Sequence, residues 1–103
     1  MPIGSFVNSI PAPVFLLIHL VAFLVGAYFA WRAFNAGASL LGWAFSLFSL
    51  AEISYMTYHL DWTVFLFAHT ISEVLDLVAF ILVFSYAVQR ALLPATARAR
   101  SVS

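Results

Sequence analysis

VFLLIHLVAFLVGAYFAW, residues 14–31, is an apolar run of eighteen residues interrupted only by His19 and closed by Arg32. At about 1.5 Å of rise per residue it approaches the ~30 Å hydrocarbon thickness of a bilayer, so it is read as a membrane crossing. Composition supports that choice of solvent: 65% of the 103 residues are hydrophobic and 8% are charged, against roughly a quarter charged in soluble domains. The mean hydropathy is +1.07. A soluble fold of this length would bury only about 60 to 70% of its chain's surface and leave much of the apolar excess in water.

Two more runs follow. One opens at Ser39, a candidate N-cap, and continues to about Leu60 with Glu52 as its single formal charge. The other extends from Trp62 to about Val88, with Asp61 and Thr63 as candidate caps and His69, Glu73 and Asp76 inside it. Pro94 ends any helix soon after. The expected fold class is therefore all-α: a single polytopic membrane domain over residues 1–103, with three transmembrane helices in an up-down-up bundle. Helices are expected at about 13–34, 39–60 and 62–90, followed by a tail at 91–103 that is disordered or lies on headgroups.

The first run does not resemble a signal peptide, because residues 1–13 contain no Lys or Arg and carry Pro11 and Pro13. Ile3, Phe6, Val7 and Ile10 suggest a short interfacial stretch ahead of it. Three crossings put Arg32, Arg90, Arg98 and Arg100 on one side. The positive-inside rule then predicts an outer N-terminus and a cytoplasmic C-terminus, in a bacterial or archaeal cytoplasmic membrane. Trp31, Trp43 and Trp62 fall near helix ends, as interfacial aromatics do.

Acids carry the functional signal. Of the four, Glu52, Glu73 and Asp76 fall inside the predicted spans, with no Lys or Arg beside them. Each must be protonated, paired or bound to a cation. At 100° per residue, His69, Glu73 and Asp76 share a face of the third helix, and Glu52, Tyr55 and His59 form a stripe on the second. His19 lies on the ridge of Ala22, Gly26, Ala30 and Ala33, small residues of the kind that let membrane helices approach closely. Expected depths from the outer ends are about 8 Å for His19, 12 Å for Glu52 and 11 Å for His69. A polar shaft opening outward follows.

That set predicts a transition-metal site, Zn, Fe, Mn or Cu, with His19, Glu52, His69 and Glu73 as ligands. Asp76, Tyr55 and His59 would form a proton or cation path, hence ion transport. A further reading is a haem with His19 and His69 as axial ligands. The competing readings are structural. Both histidines could donate hydrogen bonds across the bundle, with Glu52 accepting from His69, and Ser46 and Ser49 would bond back to their own helix. The chain would then be a non-catalytic accessory or anchor subunit of a respiratory, photosynthetic or oxygenase complex, or part of a homo-oligomer. No cysteine is present, zero net charge argues against nucleic acid, and nothing resembles a nucleophile with its base.

Overall fold

The computed structural model describes residues 3–93. Its long elements are α1 (Ala12–Asn35), α2 (Ser39–His59) and α3 (Phe65–Leu92), preceded by a short 3-10 helix, Ser5–Ser9. All three long helices have the length and apolarity to cross a membrane. The chain is an integral membrane protein of the expected all-helical, three-span class. The expectations for the tail, including Arg98 and Arg100, lie outside the described residues.

Proline and glycine chemistry sets the ends. Pro13 sits in the first turn of α1, where its missing N–H costs nothing. Gly37, at φ 80°, closes α1 in a Schellman motif. In that motif Gly37 N donates to Phe34 O at 3.1 Å and Ala38 N to Ala33 O at 2.9 Å. The turn runs straight into α2, so Ala38 takes the cap position and Ser39 is the first helical residue, making no capping bond. This corrects Ser39 as N-cap.

The second connection repeats the device with a different residue. Asp61 N donates to Tyr58 O at 3.0 Å and Trp62 N to Thr57 O at 2.9 Å. Asp61 itself adopts φ 63°. It is therefore the left-handed terminator of α2 rather than the cap of α3. Thr63 does not cap α3 either. Its hydroxyl lies 3.1 Å from that of Thr57, which donates at 2.6 Å to Ser54 O. Reversing the chain consumes residues 62–64, so α3 starts at Phe65 instead of Trp62, behind Val64 in extended conformation. At the far end Leu93 is extended, as a residue before proline must be. Asp61→Val is expected to cost about 1–2 kcal/mol and Asp61→Gly to be neutral within about 0.5 kcal/mol, because only the β-branched residue clashes in the left-handed region. Reversible unfolding in bicelles measures both.

Packing is that of a membrane protein, with small residues inside and large ones outside. The buried positions are Gly26, Ala30 and Ala33 on α1, Gly42, Ala44, Ser49 and Ala51 on α2, and Ala68, Ser72 and Ala79 on α3. Leu17, Leu24, Leu66, Leu77 and Phe84 are exposed, as lipid-facing side chains should be. Small residues let backbones approach until hydroxyls reach across: Ser49 Oγ donates to Phe23 O of α1 at 3.2 Å, and Ser72 Oγ to Ala51 O of α2 at 2.9 Å. Ser46 bonds back to Gly42 O as expected, whereas Ser49 is an interhelical strut. Both outer helices pack on α2 and share no substantial contact with each other. The three form a row with α2 as its spine, leaving a groove between α1 and α3 that α2 floors.

Candidate functional site

The outer half of the groove is built on α1 and α2. His19 and Glu52 each lie about 10 Å from the outer ends of their helices, seven residues in from Ala12 and His59 respectively. They meet directly: His19 Nδ1–H donates to Glu52 Oε2 at 2.5 Å, with the two side chains 19% and 13% exposed. Rings stack around this pair. His19 lies over Tyr55 at 5.0 Å and beneath His59 at 5.3 Å, and His59 lies against Phe15 at 5.0 Å with planes 3° apart. The result is a ladder, Phe15–His59–His19–Tyr55, whose rungs alternate between α1 and α2. Tyr58 continues it edge-on from His59 to Phe65, and Phe65 stacks on His69 at 5.1 Å. Phe15, four residues before His19, was legible only as bulk.

This arrangement overturns the metal site. Among the described residues no three His, Cys, Asp or Glu side chains come together to hold a metal ion. His19 and Glu52 are brought together, but as a hydrogen-bonded pair. His69 stacks on Phe65 instead of joining them. Its depth also differs from expectation, because the later start of α3 leaves it about 6 Å below the helix end, a turn above the His19–Glu52 level. Glu73 is exposed on α3. A haem held by His19 and His69 has no support either: His19 belongs to the α1–α2 pair, His69 stacks on Phe65 of its own helix, and no ligand cluster forms among the described residues. Glu52 accepts from His19, not from His69.

Ion transport is likewise not supported, because no cluster of ion-ligating side chains forms among the described residues. Tyr55 and His59 belong to the aromatic ladder, and Asp76 Oδ1 is buried without a hydrogen-bond partner among the described residues. Two separate recesses replace the expected shaft. The outer one, about 440 Å³, is lined by Phe15, His19, Tyr55, Tyr58, His59 and Phe65 and roofed by Val7, Asn8 and Ile10. The inner one, about 380 Å³, is lined on α1 by Val25 and Phe29, on α2 by Phe45 and Phe48, and on α3 by Phe80 and Val83, with Asp76 as its one ionisable group.

No family model matches the chain, and no curated protein or solved structure is significantly similar to it. Function is therefore argued from the geometry. The decisive contrast is among the three intramembrane acids. Glu52 is answered within the chain by His19. Glu73 is exposed at about 12 Å, and Asp76 at about 16 Å carries an oxygen with no hydrogen-bond partner among the described residues, both measured from Phe65 along α3. The second depth is close to the middle of a ~30 Å hydrocarbon core. Arg32 and Arg90 cannot answer these carboxyls: each sits in the last turn of its helix, beside Tyr28 and Tyr86 respectively.

Proposed function

We propose that this chain is a non-catalytic accessory or anchor subunit of a larger membrane complex, of the respiratory, photosynthetic or oxygenase kind, in a bacterial or archaeal cytoplasmic membrane. The observation that carries the proposal is the state of α3. It presents Glu73 to its surroundings and leaves Asp76 Oδ1 unpaired at mid-membrane depth, while among the described residues no Lys or Arg lies at that level. A carboxylate left bare there costs about 2.5–3.5 kcal/mol on insertion scales. A neighbouring subunit removes that cost. Connections of only a few residues between the helices fit the same role, because they add no soluble machinery to the three spans.

The proposed orientation puts the Asp61 turn outside and the Arg32 and Arg90 ends in the cytoplasm. Gentle extraction from native membranes followed by native mass spectrometry tests the role. The expected result is a complex of fixed stoichiometry containing at least one other polypeptide. A stable, monodisperse monomer or a homo-oligomer alone would rule the role out.

A further inference from the structure

We infer that the groove between α1 and α3 receives one transmembrane helix of a different polypeptide, carrying a lysine or arginine near its middle that pairs with Asp76 and Glu73. The inference rests on the accessory role and specifies its contact surface. Three observations converge on it. First, α1 and α3 pack on either side of α2 without substantial contact with each other, and the inner half of the groove between them is lined by the three helices alone. Second, its walls are apolar and largely aromatic, with Val25 and Phe29 on one side and Phe80 and Val83 on the other, over a floor of Phe45 and Phe48. Such walls suit a helix packed by van der Waals contact in lipid. Third, half-buried Asp76 lines this recess as its one ionisable group, and its inward-turned Oδ1 has no hydrogen-bond partner among the described residues. Glu73, one turn closer to the outer face, shares the helical face of Asp76 and Phe80, which puts it on the rim.

Charge decides the kind of occupant. Lipid tails supply van der Waals contact but no donor at mid-depth. A second copy of this chain is disfavoured, because copies share one orientation and would bring Glu73 and Asp76 to the level of the same residues. All four arginines of the sequence lie at or beyond the ends of the spans. The complementary surface is a helix with a cation at its centre. Glu52 takes no part, since His19 already holds it.

Because the cation belongs near the bilayer centre, a symmetric probe serves whichever way it inserts. The protein, which has no cysteine of its own, receives a donor fluorophore through Leu93→Cys. It is reconstituted in phosphatidylcholine vesicles with acceptor-labelled polyleucine helices anchored by tryptophan, bearing either one central lysine or none. Energy transfer is expected to show the lysine helix binding at least about tenfold more tightly than the all-leucine helix. Asp76→Asn with Glu73→Gln is expected to erase that preference while leaving helicity unchanged. Val83→Trp, which fills the groove and keeps both carboxyls, is expected to abolish binding of the lysine helix.

Equal affinity for the two helices would overturn the inference, as would a lysine preference that survives the double substitution. Self-association that displaces the lysine helix would overturn it in favour of a homo-oligomer. Failure here combined with a hetero-complex in native mass spectrometry would leave the accessory role standing and move its contact elsewhere. A monomer in native membranes would remove the role itself.

Discussion

His19→Leu is expected to destabilise the α1–α2 hairpin by about 1–3 kcal/mol, since removing one partner of a half-buried hydrogen bond leaves the other polar group unsatisfied. Glu52 accepts its only hydrogen bond among the described residues from His19, and little of either side chain is exposed. Glu52→Leu alone should cost a similar amount by stranding the imidazole. The double variant His19→Leu/Glu52→Leu should recover most of that loss, because two apolar groups in lipid contact leave nothing unsatisfied. Recovery should be incomplete. His19 also stacks on Tyr55 and His59, and leucine forfeits those contacts, at about 0.5–1.5 kcal/mol for an aromatic pair. Reversible unfolding in bicelles, read as a double-mutant cycle, provides the comparison. Additive single and double effects would mean that the pair contributes no coupling and that the ladder alone holds the outer end.

The second large effect is steric. A Cβ on Gly26 would overlap Ser49 Oγ and lie 2.8 Å from Phe48 Cδ2, where α1 and α2 cross. Gly26→Leu is therefore expected to force the two helices apart, breaking the Ser49–Phe23 bond and costing about 3 kcal/mol, at the upper end for overpacking a close-packed site. Gly26→Ala should cost less, because the nearest clashing atom is a hydroxyl that can rotate away. Adding Ser49→Ala should then return part of the loss, whereas it should be mildly harmful by itself. If Gly26→Leu unfolds no more readily than the parent, the close crossing does not hold the hairpin together.

Those two sites mark what could be read from residues alone. The ridge Ala22, Gly26, Ala30 and Ala33 pointed to a close helix contact with His19 on the same side, and three of these four positions are buried with His19 turned toward α2. The number of spans was equally legible, because apolar runs bounded by Gly37 and Asp61 leave few alternatives. Partner choice was not. Helical periodicity gives each residue a face but does not say which faces meet, and a compact triangle of helices would have brought His69 toward His19. The row arrangement and the left-handed Asp61, which delays α3 by three residues, moved His69 and Glu73 away from the pair. What remained of the supposed metal site is one interhelical hydrogen bond and two acids facing elsewhere.

The tight turns after α1 and α2 also govern how anything can find this molecule. With both reversals completed by main-chain bonds inside the helix ends, neither connection offers a flexible loop for an aqueous protein, an antibody or a protease to grip. Recognition through the apolar faces of the three spans is then a search in two dimensions, conducted by lateral diffusion. Its outcome depends on how often neighbours collide sideways and on the abundance of helices in the same leaflet pair, rather than on any concentration in the surrounding water.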